Sequence, residues 1–79
     1  MGLEEIYKQF EERGYKVYLR NDIIKLKKVI DDESTESIEF DIEERKAWKI
    51  KIVNNDICPL PLTFKEIELI NELRKALDL

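Results

Sequence analysis

The chain has 79 residues, 41% of them charged and 43% hydrophobic; 14 basic and 18 acidic side chains give a formal charge of −4, and there is no histidine. That length holds one domain, residues 1–79, with a core so small that every apolar stripe counts toward it. So large an apolar share excludes intrinsic disorder, and the acidic balance argues against generic, charge-driven binding of nucleic acid. The single cysteine, Cys58, excludes an internal disulfide. No apolar run follows Met1, so neither a signal peptide nor a membrane span is expected, and a reducing cytoplasm is the expected location.

Residues 2–13 place Leu3, Ile6, Tyr7 and Phe10 at helical spacing, with Glu4 and Glu5 in the first turn, where the helix dipole favours negative charge. Gly14 stands where a left-handed residue would end that helix. In residues 15–20, Tyr15, Val17 and Leu19 alternate with Lys16, Tyr18 and Arg20, which predicts a first strand. Asn21 and Asp22 tolerate positive φ and make a two-residue turn that pairs Leu19 with Ile24 and Val17 with Leu26, so residues 23–30 become the second strand. Strict alternation there turns Lys28 inward with Ile24, Leu26 and Ile30. A bulge near Lys27 and Lys28, or a lysine snorkelling at the sheet margin, would relieve this. Residues 31–36, DDESTE, carry no apolar side chain and are expected to form a long loop.

Residues 37–53 then read as a hairpin with two different faces. With a loop between Glu43 and Ala47, Ile42 falls opposite Trp48, Phe40 opposite Ile50 and Ile38 opposite Ile52, while Asp41 meets Lys49 and Glu39 meets Lys51. Residues 54–62 contain Pro59 and Pro61 without periodicity and are expected to be a crossing connection. Thr63 and Glu66 form a capping-box signature and Leu62 and Ile67 a possible hydrophobic staple, opening a helix over residues 64–77. The predicted fold is α+β: a four-stranded antiparallel meander with an N-terminal and a C-terminal helix on one face, in the order α-β-β-β-β-α. Its expected core joins Leu3, Ile6, Phe10, Val17, Leu19, Ile24, Leu26, Ile38, Phe40, Ile42, Trp48, Ile50, Ile52, Ile67, Ile70, Leu73 and Leu77.

Chemistry is sparse. With no histidine, no glycine-rich phosphate loop, no cysteine pair and no activating partner near Ser34, Thr35 or Ser37, the reading expects no catalytic residue, no cofactor and no metal site. Cys58 is expected to be a small, partly buried hydrophobe. The open sheet face is expected to carry Lys16, Tyr18, Arg20, Ile23, Lys25, Lys27, Val29, Glu39, Asp41, Glu43, Lys49, Lys51 and Val53. Acidic strand three between two basic strands favours mutual neutralisation by cross-strand ion pairs. The alternative is a nucleic-acid surface using Lys16, Tyr18, Lys25, Lys27, Lys49 and Lys51. The last helix has an apolar stripe wider than a sheet contact needs, and with Leu60 and Leu62 it makes Leu69 a candidate for docking a partner.

The carboxylates Asp31, Asp32, Glu33 and Glu36 of the expected loop could instead imitate nucleic-acid phosphates toward a basic groove on a partner. The helix-meander-helix order resembles the double-stranded-RNA-binding domain in topology. At the start of the last helix, where that family has a lysine cluster, this chain has Lys65 between Phe64 and Glu66, so RNA binding is not carried over. With its small size and acidic loop the chain is similar to some phage-borne anti-CRISPR inhibitors. That resemblance implies a small non-enzymatic regulator or inhibitor that presents Asp31, Asp32, Glu33 and Glu36 to a basic groove on a host protein; the apolar stripe of the last helix with Leu69, and the strip over residues 58–62 with Leu60 and Leu62, would instead dock a second copy of the chain.

Overall fold

Capping and apolar spacing set both helices in the computed structural model, which describes residues 2–78. Helix α1 (Leu3–Glu12) buries Ile6 and Phe10, four residues apart on one face. It ends as predicted: Gly14 takes φ 95°, a left-handed conformation that a side chain resists. Helix α2 (Phe64–Ala76) opens on a complete capping box, with Thr63 Oγ1 accepting the Glu66 N–H and the Glu66 carboxylate accepting the Thr63 N–H.

Between the helices run β1 (Lys16–Arg20), β2 (Ile23–Asp31), β3 (Ser34–Asp41), β4 (Lys46–Val53) and β5 (Asp56–Leu60), in one antiparallel sheet ordered β1-β2-β3-β4-β5. The sheet therefore has five strands rather than four. Asn54 and Asn55 both adopt positive φ, 49° and 70°, and reverse the chain at once, so that Val53 pairs with Asp56 and the expected connection becomes β5. Pro59 is tolerated because β5 is an edge strand. The expected long loop at 31–36 is also a tight turn. Asp31 Oδ1 accepts the Glu33 N–H at 2.9 Å, and β3 has begun by Ser34.

The β1–β2 register is the predicted one, Val17 opposite Leu26 and Leu19 opposite Ile24. The irregularity in β2 lies between Val29 and Asp31 instead of at Lys27 and Lys28. Lys28 stays on the helix side with Nζ 5.7 Å from the Tyr15 ring centroid, so it snorkels, and Ile30 at the bulge is exposed.

The β3–β4 register differs from the expected one. Phe40 faces Ala47, Ile38 faces Lys49 and Glu39 faces Trp48. The cause is local: Asp41 Oδ1 accepts the Glu44 N–H at 3.0 Å and Arg45 takes φ 59°, closing the hairpin immediately after Asp41. The Ile42 N–H also donates to the Asp22 carbonyl at 2.8 Å, which ties this loop to the β1–β2 turn. The offset is odd, so every β4 side chain changes face.

Both helices pack on one side of the sheet. The core joins Ile6 and Phe10 of α1, Tyr15, Ile24 and Leu26, Ile38 and Phe40, and Leu69, Ile70 and Leu73 of α2. Phe10 and Tyr15 meet edge to face at 5.9 Å. Three expected core residues, Leu19, Trp48 and Ile67, are exposed. Ile50 and Ile52 are only half-buried, on the opposite face. No helix among the described residues is long and apolar enough to cross a membrane.

The open sheet face as a candidate binding site

The reversed β4 register sends Lys49 and Lys51 to the helix side and empties them from the expected nucleic-acid set. Lys49, its side chain only 10% exposed, donates from Nζ to Glu66 Oε2 at 3.0 Å and Oε1 at 3.3 Å and lies 3.7 Å from Glu36 Oε2. The Tyr15 hydroxyl donates to Glu66 Oε2 at 3.0 Å, and the Thr63 N–H to Oε1 at 2.8 Å. Glu66 is itself buried. Burial pushes its carboxyl up, but the hydrogen bonds from Thr63, Lys49 and Tyr15 outweigh that and hold its pKa below the usual range. Burial first, and then the charge and hydrogen bond of Glu66, drive the Tyr15 phenol well above its ordinary range. No buried side-chain polar atom among the described residues lacks a partner, so this cluster reads as a clasp between α2 and the sheet.

The expected protein-docking residues do not form one surface. Asp31, Asp32 and Glu33 are exposed at the β2–β3 turn, whereas Glu36 lies on the helix side beside Lys49. A backbone hydrogen bond from Glu33 lowers the Asp31 pKa, so part of that acidic set is engaged in closing the turn. Leu69 is 1% exposed, a core residue, which excludes it as a docking contact. Leu62 packs against the core, and Leu60 is half-buried opposite Lys49. Cys58 is exposed rather than partly buried.

The opposite face of the sheet is uncovered, and its side chains fall into transverse rows. One row runs Arg20, Ile23, Asp41, Lys46; the next Tyr18, Lys25, Glu39, Trp48; the third Lys16, Lys27, Ser37, Ile50, Pro59; the last Val29, Thr35, Ile52, Ile57. Composition grades across them. Strands β1 and β2 supply cations around Tyr18, while β4 and β5 supply Trp48, Ile50, Ile52, Ile57 and Pro59. Tyr18 is 48% exposed and Trp48 38%, at opposite ends of one row and about 14 Å apart at ~4.8 Å per strand. Sheet twist leaves a concavity of about 560 Å³ on the β1–β3 half, lined by Tyr18, Arg20, Asn21, Ile23, Lys25, Lys27 and Glu39.

The expected neutralisation is absent. The ion pairs among the described residues are Lys49 with Glu36 and Glu66, Lys65 with Glu68, and Lys75 with Glu72; none joins two residues of the open face. Lys25 and Glu39 are direct cross-strand neighbours yet do not pair. Of the expected nucleic-acid set, Lys16, Tyr18, Lys25 and Lys27 are therefore together and free of ion pairs. Trp48, Ile50, Ile52 and Ile57 were missed as surface residues. The signals that place them are Asn54-Asn55, which creates the β4–β5 hairpin, and the side-chain turn at Asp41, which sets the parity of β4. Comparison with protein-family models, curated proteins and solved structures finds no match.

Proposed function

We propose that this chain is a non-enzymatic binding domain whose working surface is the open face of the sheet, and that this face takes single-stranded nucleic acid. One observation carries the reading: cations on β1 and β2 lie unpaired around an exposed tyrosine, in a sheet whose other face is filled by helices. Single strands are held by just this combination, with phosphates drawn to lysine and arginine and base faces resting on aromatic and apolar side chains. Tyr18 and Trp48 offer two stacking platforms, and Ile50 and Ile52 extend the apolar floor. The net negative charge of the chain resides elsewhere, on exposed Glu4, Glu5, Glu11 and Glu12 of α1 and on the Asp32-Glu33 turn. It would confine an anionic ligand to this face.

The test is mobility of a labelled single strand at low salt with wild type and with Lys25→Glu combined with Lys27→Glu. The double variant should weaken binding at least about tenfold and flatten the plot of log K against log salt by about 1.4, at ~0.7 per lost phosphate contact. No shift of single-stranded or duplex probes by the wild type would overturn the reading.

A second reading is a protein-binding module, a regulator or inhibitor of a host protein. It is favoured by the aliphatic corner, where Ile57 and Val29 are 67% and 68% exposed. Its partner would bring an apolar surface with an acidic margin. A second copy of this chain would meet that description only if turned so that lysine does not face lysine, which a different protein need not satisfy.

A further inference from the structure

Glu39 is the one carboxylate lining the open-face concavity, and it has no hydrogen bond or ion pair among the described residues. It sits in the middle of the row, two strands from Tyr18 and directly opposite Lys25 on one side and Trp48 on the other. The same concavity collects Arg20, Lys25 and Lys27. A carboxylate among three cations that pairs with none of them leaves an acceptor pointing at whatever fills the space.

We infer that Glu39 reads the edge of one base seated in this concavity, selecting bases that carry an exocyclic amino group; the inference rests on the single-strand reading above. Tyr18 and Ile23 supply the flat contact, and Arg20, Lys25 and Lys27 lie where the phosphates of the same and the next nucleotide would fall. An ionised carboxylate only accepts hydrogen bonds. Guanine satisfies it best, because its ring N–H and amino group lie side by side and fit both oxygens; cytosine and adenine each offer an amino group. Thymine and uracil present one N–H between two carbonyl oxygens, which sets acceptor against acceptor. The ligand class is thus a nucleoside phosphate bearing an amino group, either free or as a unit of a strand.

Fluorescence anisotropy of a labelled oligothymidylate, with and without a single central guanine, tests this directly. Wild type should bind the guanine-containing strand about tenfold more tightly. Glu39→Gln, whose amide offers a donor as well as an acceptor, should bring the two strands to within about twofold of each other, with far-UV circular dichroism unchanged. Guanosine and uridine monophosphates, added as competitors, separate the two sources: displacement by guanosine monophosphate at similar concentration assigns the site to a free nucleotide, and its failure assigns the site to a strand. Equal affinity of wild type for both strands would overturn the assignment to Glu39 while leaving the open face as a single-strand surface. A preference that persists in Glu39→Gln would likewise overturn it. Binding of neither strand would overturn both.

Discussion

Glu66→Ala is expected to cost about 3–5 kcal/mol of unfolding free energy, most of what a domain of this size possesses. The substitution leaves the Lys49 ammonium in a site only 10% exposed with Glu36, at 3.7 Å, as its remaining anionic neighbour. It also strands the Tyr15 hydroxyl and the Thr63 N–H, both of which Glu66 now accepts from. Glu66→Gln keeps one acceptor oxygen, enough for the Thr63 N–H, and turns the other position into an amide donor toward the Tyr15 hydroxyl oxygen while removing the charge, so it should fall between Ala and wild type. Urea unfolding followed by circular dichroism measures both, and a loss under about 1 kcal/mol for Glu66→Ala would mean that the cluster does not clasp the fold.

The same groups set a pH dependence. The folded pKa of Glu66 lies below its ordinary 4.5, so its contribution is present above that pH and is lost as the pH falls through the folded value. The Tyr15 phenol is raised above its ordinary 10.0, so folding favours the neutral form, and stability falls as the pH rises beyond 10. Denaturation midpoints should therefore decline at both extremes, and Glu66→Gln should flatten the acid limb.

Phe40→Ala should cost about 3–5 kcal/mol as well, by a different route. Phe40 is fully buried on β3, the middle strand of the sheet, with the Arg74 guanidinium 5.6 Å from its ring, and truncation leaves a cavity that the surrounding core residues of α1, β2 and α2 cannot fully relax to fill. Trp48→Ala removes a larger side chain yet should cost only about 1 kcal/mol, because Trp48 stands on the open face. The contrast tests the register itself. Were Trp48→Ala as damaging as Phe40→Ala, Trp48 would be in the core and the open-face reading would fall with the register.

Which features were legible in the sequence follows from how locally each is encoded. The end of α1 at Gly14, the Asn21-Asp22 hairpin and the Thr63 capping box each depend on neighbours within four residues, and all three stand as read. The β3–β4 register depends on one turn. There, two registers offered matched faces: in one, three apolar side chains of β4 enter the core; in the other, Lys49 enters and meets Glu66 from a helix distant in sequence. Alternation alone prefers the first. What decides for the second is the buried carboxylate of α2, which needs a cation, and the Asp41 turn that delivers one. The fifth strand was obscured by two prolines, although the preceding Asn-Asn pair carried the turn signal. The open face inherits both difficulties, since its basic half lies on β1 and β2, whose register is the predicted one, and its apolar half on β4 and β5, whose register and existence are not.

The outward position of Trp48 has a spectroscopic consequence. It is the only tryptophan of the chain, so intrinsic emission reports the uncovered side of the sheet rather than the packing between helices and strands. Emission of the folded protein should already be red-shifted and change little on unfolding, while anything that settles on the sheet and excludes water from the indole should move it to shorter wavelength. The molecule therefore carries its own reporter of occupancy, silent toward the core and placed one residue across from Glu39.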